Sequence, residues 1–331
     1  MTPYFAVMTE TAHPIPGTTS GLIDQNGWQT AQATNAVALA DAGLAVGRLD
    51  QLIAALPEDR RRGALTRLAL IEVEAMLWGQ ATPLRREEIG RDLMEARAST
   101  DLDAMKQARW AIRRLEGQTG LTDLRAFLAL HRAEGDHLPA AQHGRPTGRD
   151  FDESAGEFLG LIDGLADLHP IARACPARIA WRLANVSAVE DMIEGAVWTG
   201  RAMAANCEAL TFLPLGRHGR RVWLDGSAPA ERMARHLDAV TQGAVDARRH
   251  LSRLSLWAEQ ARAATATIKG NSPSRIIDAL LTQPLMTTAM VEEHAGISRD
   301  TAERMLQRLQ NDGLVREVTG TRRFRLWSAA A

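Results

Sequence analysis

Arginine, threonine and glutamine recur at helical spacing near the C-terminus of the chain. A helix that begins after Ser298 would bury one apolar face and leave five polar side chains outside: Arg299, Thr301, Arg304, Gln307 and Arg308. The guanidinium group matches phosphate and the edge of guanine, and the glutamine amide matches the edge of adenine. These residue types at this spacing predict a helix that enters the major groove of double-stranded DNA.

The sequence also predicts how this helix divides its contacts. Arg299 and Thr301 lie in the first turn, where recognition helices approach bases and where free backbone amides attract phosphate. Arg304 and Arg308 lie one and two turns further and are better placed for the sugar-phosphate backbone. Two acidic residues interrupt the basic surface, so recognition is expected to depend on a few contacts: Asp300 and Glu303.

Two shorter helices are predicted to precede and support this helix. The first covers 273–283, begins after the boundary sequence Gly-Asn-Ser-Pro at 270–273, and ends at Pro284. The second covers about 288–295 and is capped by Thr287 or Thr288. Gly296 then supplies a sharp turn, and Ser298 caps the third helix. Thr288 and Ser298, which lie at helix starts, also belong to the predicted set of DNA contacts.

A basic β-hairpin is predicted after the third helix. Gly313 ends the helix, Leu314 begins one strand, and 322–327 form the other. Four arginines outnumber Glu317 in this segment: Arg316, Arg322, Arg323 and Arg325. A hairpin tip with this positive charge suits a phosphate backbone or a minor groove.

This segment resembles the winged helix-turn-helix of GntR-type bacterial regulators. The resemblance is carried by 296–301 (Gly-Ile-Ser-Arg-Asp-Thr), Leu306, Leu309 and 312–315 (Asp-Gly-Leu-Val). It implies sequence-specific binding of double-stranded DNA. The alternative is a winged helix used only for protein contact or dimerisation, because a fold does not fix a function.

The rest of the chain is predicted to be mainly α: a helical bundle with one β-hairpin, followed by the C-terminal winged helix-turn-helix. We expect a flexible leader at 1–27, a helical domain at 28–270 and a DNA-binding domain at 271–331. Helices are predicted at 28–55, 58–78, 85–98, 101–116, 121–134, 152–166, 171–185, 187–207 and 229–268. The β-hairpin is predicted at 210–224, where two apolar runs flank a Gly-rich turn.

The helix at 229–268 carries one narrow apolar seam with alternating spacings of four and three: Met233, Leu237, Val240, Ala244, Ala247, Leu251, Leu254, Ala258 and Ala261. Such a seam is typical either of a dimeric coiled coil or of a long helix that packs within its own bundle. The small alanines favour the bundle.

A longer resemblance extends over most of 50–327. It is carried by 71–79 (Ile-Glu-Val-Glu-Ala-Met-Leu-Trp-Gly), 168–174 (Leu-His-Pro-Ile-Ala-Arg-Ala), 212–216 (Phe-Leu-Pro-Leu-Gly) and 313–320 (Gly-Leu-Val-Arg-Glu-Val-Thr-Gly). These stretches are similar to a plasmid-borne alphaproteobacterial family that joins an uncharacterised helical domain to a C-terminal helix-turn-helix domain. The resemblance implies a transcriptional regulator and gives no ligand or target.

A second resemblance concerns Fic-type nucleotidyl-transferases, several of which carry a similar C-terminal winged helix. Residues 169–174 (His-Pro-Ile-Ala-Arg-Ala) look like the approach to their active-site helix. Their catalytic loop needs a histidine base and a Gly-Asn-Gly-Arg turn, but 175–182 here read Cys-Pro-Ala-Arg-Ile-Ala-Trp-Arg. No catalytic residue is carried over, and we expect no enzymatic activity.

Other chemical motifs are thin, and no cofactor is expected. The chain has no Walker-type phosphate loop, dinucleotide fingerprint or His-Glu-x-x-His motif. Glu134 and His137 have the spacing of one metal-binding pair, and His131 and His143 lie nearby, but a solvated loop is the favoured interpretation. Because Glu72 and Glu74 cannot share a helix face, at least one should face water or pair with arginine. Four tryptophans are expected in the core: Trp78, Trp110, Trp181 and Trp198.

Composition limits the setting in which the protein works. The net charge is -1, and only Lys106 and Lys269 of the 39 basic residues are lysine. Two cysteines, Cys175 and Cys207, fit buried thiols in a reducing cytoplasm. We expect no signal peptide, because the first residues lack a basic stretch followed by an apolar one, and the sequence has no apolar run long enough for a membrane span.

Three functional hypotheses follow from the sequence. The first is a cytoplasmic regulator that binds double-stranded DNA, with the helical domain supplying dimerisation or the binding of a small-molecule effector. The second is an enzyme or toxin-like protein with a regulatory winged helix. The third is a plasmid maintenance protein that binds DNA without regulating transcription.

Overall fold

A computed structural model describes residues 23–93, 101–117, 119–130, 144–223, 227–319 and 325–331. The described residues form fourteen α-helices and one three-stranded sheet, so the mainly α fold class is confirmed. Several predicted features lie wholly or partly outside these ranges: most of the leader, the end of the helix at 85–98, the candidate metal ligands between 131 and 143, and the tip of the C-terminal hairpin.

Ten helices precede the long helix. They are α1 (Gln25–Thr34), α2 (Ala36–Ala54), α3 (Glu58–Gly79), α4 (Arg86–Leu93), α5 (Leu102–Glu116), α6 (Leu124–Leu128), α7 (Gly148–Asp163), α8 (Pro170–Leu183), α9 (Ile193–Met203) and α10 (Gly219–Trp223). The long helix is α11 (Pro229–Thr265), and the C-terminal segment contains α12 (Ser272–Thr282), α13 (Thr288–Ala295) and α14 (Arg299–Asn311). The strands are β1 (Met286–Thr287), β2 (Val315–Glu317) and β3 (Leu326–Ala329).

The first predicted helix is two helices with a break at Asn35. The Asn35 side chain donates to the carbonyls of Ala31 at 2.8 Å and Ala230 at 3.1 Å. Asparagine competes in this way with the helical backbone, and its amide also joins the break to the start of α11. Helix α1 begins at Gln25, within the stretch predicted as a leader, because Asp24 caps it by accepting from Gly27 N.

The seam of α11 is buried inside the chain itself. All nine predicted seam residues are buried, and the helix packs against α1, α2, α8 and α12. The intramolecular interpretation of the seam is therefore confirmed, and this face is not open to a coiled-coil partner. Residues up to Leu251 belong to the core of the helical body, whereas Leu254, Trp257, Ala258 and Ala261 belong to the core of the C-terminal segment.

The prediction of a β-hairpin at 210–224 is wrong. Residues 216–218 form a 3₁₀ turn that leads into α10, and no strand occurs among the described residues of this stretch. Two buried carboxylates replace the missing strand partner. Asp50 accepts from the backbone N–H groups of 208, 209 and 210, and Glu72 accepts from those of Leu215 and Gly216. Because these long-range bonds satisfy the backbone, the apolar run packs without a β-ladder.

The predicted placement of tryptophans and cysteines is corrected at three positions. Trp181 and Trp198 are buried and pack around Phe158, but Trp110 is only partly buried and Trp78 is 57% exposed. Trp78 lies on the outer face of α3. The buried inner face of this helix is formed by other residues, including Met76 and Leu77. Cys175 is buried, whereas Cys207 is only partly buried.

The C-terminal segment has the three helices and the first wing strand that the sequence predicts. The second strand was predicted at 322–327 and is observed at Leu326–Ala329, while 322–324 lie outside the described residues. Its sheet has the order β1-β3-β2 with antiparallel pairing, and β3 lies in the middle. Strand β1 was not predicted; its two residues pair with Trp327 and Leu326. The inner face of α14 is buried against α12 and the sheet, as the helical spacing predicts: Ala302, Met305, Leu306 and Leu309.

Within the described residues, no helix combines the length and the apolar character that crossing a bilayer requires.

Candidate nucleic-acid interface

The turn between α13 and α14 is built by local bonds that fix their mutual angle. Thr287 caps α13 by accepting from Met290 N at 3.1 Å. Gly296 ends α13 in the left-handed region, at φ 57°, where a side chain would be strained. Arg275 on α12 donates to the carbonyls of Ala295 and Gly296 at 3.1 and 3.3 Å. The sequence analysis did not identify Arg275, which fastens the turn to the first helix of the segment.

Helix α14 presents its polar side to solvent. Ser298 caps the helix, accepting from Thr301 N at 3.4 Å. Four exposed residues at spacings of four, three and four form the outermost ridge: Asp300, Arg304, Gln307 and Asn311. Arg299 and Glu303 lie on one flank of this ridge, and Thr301 and Arg308 lie on the other. Asp300 was predicted to interrupt the basic surface and Asn311 was not predicted at all, although helical spacing alone assigns both to the ridge.

The partners of these side chains differ. Arg299 donates to Glu303 at 3.2 Å while its side chain stays 73% exposed. Gln307 donates to Gln310 at 3.1 Å and to Asn311 at 3.3 Å. Neither Arg304 nor Arg308 has an ion-pair partner in the part of the chain that the structure describes. Their charges are therefore available to an external anion.

Thr288 and the wing residues have partly structural positions. The Thr288 hydroxyl accepts from the indole N–H of Trp327 at 3.1 Å, which joins the start of α13 to the central strand. The Arg325 guanidinium lies over the Trp327 ring at 6.0 Å. Arg316 reaches Glu87 of α4 at 3.5 Å and remains largely exposed. Arg322 and Arg323 lie outside the described residues, and their predicted contacts with DNA stay predictions.

The segment is docked on the helical body through one face of α3. Gly63 lies so close to α12 that a Cβ at this position would lie 2.0 Å from the carbonyl oxygen of Thr282. Arg67, one turn further, is buried and donates to the carbonyls of Leu280 and, at 2.7 Å, Gln283. These carbonyls belong to the end of α12, where the helix leaves acceptors unpaired. Burial lowers the pKa of Arg67 to about 10.

Further contacts extend the same interface. Asp278 of α12 receives Arg60 of α3 at 3.0 Å and Arg262 of α11 at 2.7 Å. The indole N–H of Trp257 on α11 donates to the Leu314 carbonyl at 2.6 Å, immediately before β2. None of these contacts involves the ridge of α14, so docking on the body leaves that ridge open.

The residues that resemble an enzyme motif have helix-building roles in the structure. His169 caps α8, and its Nδ1 accepts from Ile171 N at 3.2 Å. Partial burial lowers the pKa of His169.

Glu74 pairs with Arg86 at 3.3 Å, as expected for one of the two neighbouring glutamates, whereas Glu72 is buried and its pKa is raised to about 7. Among the described residues no cluster of metal-binding side chains occurs, and His131, His137 and His143 lie outside them.

Comparison with known proteins assigns a family to the C-terminal segment. Residues 274–329 match the family described as "HTH DNA binding domain". This stretch contains most of α12, all of α13 and α14, and the wing. The chain therefore ends in a helix-turn-helix DNA-binding domain, as the sequence predicted. No protein with a curated description matches the chain.

One solved structure gives a weak likeness over most of the chain. It is described as a Fic family protein from Desulfovibrio desulfuricans G20, and it shares 15% sequence identity with a TM-score of 0.49. The likeness covers 89% of this chain and 95% of the other.

Proposed function

We propose that the protein binds double-stranded DNA in a sequence-specific manner and regulates transcription from the sites it occupies. The observation that carries this proposal is the exposed ridge of α14 in a helix-turn-helix DNA-binding domain whose docking surface lies elsewhere. A free, polar recognition helix is the element that such domains insert into the major groove.

In the proposed complex, Arg304 and Gln307 point to the floor of the groove, because both lie on the outermost ridge of α14. This placement replaces the backbone contact that the sequence predicts for Arg304. Arginine can donate two hydrogen bonds to guanine, and glutamine can make a paired donor and acceptor contact with adenine. Arg299, Thr301 and Arg308 lie on the flanks, where bases and phosphates are both within reach. Ser298 and Thr288, at the helix starts, and the wing arginines complete the proposed contact set with the backbone.

Selection of DNA sequences from a random pool, followed by gel-shift titration of the enriched duplex, tests this proposal. We expect a complex whose affinity falls steeply as salt rises, because bound phosphates release their counterions. Arg304→Ala and Arg299→Ala should each weaken the enriched duplex by about 1–3 kcal/mol and should relax the preference for individual bases. Arg182→Ala removes a charge from an exposed site on α8 and serves as the matched control.

Equal affinity of the wild type, Arg304→Ala and Arg299→Ala for the enriched duplex would refute the proposed recognition helix. Mapping of bound sites in cells then separates a regulator from a maintenance protein. A regulator should occupy promoter regions and change the transcripts beside them, whereas a maintenance protein should occupy sites whose neighbouring transcripts do not change.

A further inference from the structure

A cleft of about 1430 Å³ opens on the helical body, away from α14. Helices α2, α3 and α11 form its walls, and the segment 214–218 lies across one side. Its floor is apolar and includes Leu52, Leu68 and Leu215, and Leu44 stands at its edge with 53% of its surface exposed. A concave site with an apolar lining is the usual form of a small-molecule site.

The rim of the cleft is basic. Six arginines line it: Arg48, Arg86, Arg217, Arg248, Arg249 and Arg253. Asp246 is the one acidic residue among the lining side chains described, and it already receives three basic partners. Arg217 and His218 lie at 3.0 Å from its carboxylate, and Arg249 lies at 3.6 Å.

Three of the rim arginines lack a counter-charge. Arg86 pairs with Glu74, but Arg48, Arg248 and Arg253 have no ion-pair partner in the described part of the chain. The neighbouring His250 reflects this positive field. Its pKa is lowered to about 4, first by burial and then by Arg67, Arg86 and Arg253. An anion in the cleft would supply the charge that these groups lack.

Two glycines of α2 leave the wall of the cleft open. Gly43 and Gly47 are one helical turn apart in the interior of α2 and line the cleft. A Cβ at either position would meet no atom within 4 Å. Glycine in a helix interior is less stable than alanine, because it loses more backbone freedom on folding. Among the described residues no atom packs closely enough to require glycine at these positions, so the space beside them is available to a ligand.

We propose that this cleft binds a small organic anion that combines one or more negative charges with an apolar part. The rim arginines would hold the charges, and the leucine floor would cover the apolar part. A duplex fits the cleft less well, because its phosphate backbone offers no apolar surface to the floor. The ridge of α14 also lies outside the lining.

Because of the position of the cleft, its ligand is an effector of the DNA-binding domain. This effector role rests on the proposed function. A second cleft of about 260 Å³ shares Arg86, His250 and Arg253 with the first. Its opposite wall comes from the DNA-binding domain and includes Leu285 and Arg316. An anion that draws the shared arginines toward itself changes the contacts that seat the wing on the body.

The binding test uses the full chain and 8-anilinonaphthalene-1-sulfonate, a fluorescent probe with an apolar ring system and a negative charge. We expect saturable binding of one probe per chain that inorganic pyrophosphate displaces. The neutral analogue N-phenyl-1-naphthylamine should bind about tenfold more weakly, which corresponds to 1.4 kcal/mol. Gly47→Leu, which fills the cleft, and Arg48→Gln with Arg248→Gln should each weaken the sulfonate probe about tenfold or more.

Matched controls separate this site from other apolar surfaces. Gly156 lies on α7 with open space around it, so Gly156→Leu makes the same change outside the cleft. Arg182→Gln removes an exposed charge outside the cleft. Probe binding that ignores Gly47→Leu and the arginine changes would overturn the proposed site. Displacement of the probe by a non-specific duplex, with equal loss of duplex binding in the arginine variant, would instead identify a DNA-contact surface and also overturn it.

The effector part has a separate readout. Saturating probe should change the affinity of the wild type for its enriched duplex by about threefold or more, and the duplex should change probe affinity by the same factor. Gly47→Leu should abolish this coupling while it keeps DNA affinity. Probe binding without coupling overturns the effector role. Absence of duplex binding by the wild type contradicts the proposed function and leaves the probe titration to decide the site.

Discussion

At the scale of single residues, two buried ionisable groups join elements that are distant in sequence. Arg67 carries its charge into the interface between α3 and α12, where backbone carbonyls at a helix C-terminus receive it. The negative end of the helix dipole favours a cation at this position. Glu72 has the converse role. Its side chain accepts hydrogen bonds from the backbone N–H groups of Leu215 and Gly216 and so joins their segment to α3.

Arg67→Met should destabilise the protein by about 1–3 kcal/mol, because it leaves buried carbonyls without donors. Urea unfolding followed by circular dichroism measures this change. Arg62→Met is the matched control on the same helix, where the side chain is 75% exposed and pairs only with exposed Glu58. Equal stability of the two variants would contradict the role of Arg67.

Glu72→Gln should remove a pH dependence of stability. Burial is the main cause that raises the pKa of Glu72 from 4.5 to about 7. The carboxyl group therefore deprotonates more easily in the unfolded chain, and the stability present below pH 4.5 is lost as pH rises toward 7. This shift corresponds to about 3 kcal/mol. The free energy of unfolding of Glu72→Gln relative to wild type should rise between pH 4.5 and 7 and then stay level.

That difference is measured by urea unfolding at several pH values. Subtracting the wild-type curve cancels the titration of other groups that both proteins share. A difference that is flat between pH 4.5 and 7 would show that Glu72 titrates in the folded protein as it does in the unfolded chain.

At the scale of elements, close approach of α3 and α12 determines where the DNA-binding domain lies. Gly63 permits this approach, and Arg60 and Arg67 on the same face of α3 add polar contacts to α12. Gly90 of α4 extends the interface, because a Cβ there would lie 2.0 Å from Leu285. Two helices of the body, α3 and α4, therefore contact the DNA-binding domain at α12 and at Leu285, the residue before β1.

Gly63→Ala should weaken this interface. The added methyl group meets the backbone of Thr282, which cannot give way as a flexible side chain can, so we expect a loss of about 1–3 kcal/mol. Gly156→Ala is the matched control. It adds a methyl group to an exposed helix and should instead stabilise by about 0.5–1 kcal/mol. Thermal unfolding of both variants checks the two opposite signs.

At the scale of the whole molecule, α11 joins the two hydrophobic cores. Its first part belongs to the helical body, and its last turns, with Trp257 and Ala261, belong to the DNA-binding domain. A continuous helix of 37 residues has no internal linker at which the two parts can separate. A homodimer stays a prediction, and any dimer must use a surface other than the buried seam of this helix.

We expect the two cores to unfold in a single transition. Helicity at 222 nm and tryptophan fluorescence should lose their native signals at the same denaturant concentration, because α11 contributes side chains to both cores. Two separate transitions would show that the DNA-binding domain unfolds independently. In that case Gly63→Ala should shift only the transition in which the DNA-binding domain unfolds.

The sequence by itself determined the features that depend on local periodicity and capping. The buried face of α14, the seam of α11, the Gly296 turn and the Ser298 cap were all predicted, because each depends on residues within a few positions of one another. The same local information determined the composition of the exposed face of α14, including the spacing that places Asp300, Arg304, Gln307 and Asn311 on one ridge.

Only the tertiary structure decided the features that depend on contacts between distant residues. Asp50 and Glu72 replace the predicted hairpin because they satisfy a backbone more than a hundred residues away in sequence. The burial of the α11 seam within one chain and the exposure of Trp78 depend on which helices pack against each face. The basic cleft arises in the same way. Its arginines come from α2, α4, the 3₁₀ turn at 216–218 and α11, and no local pattern indicates that folding brings these four elements together.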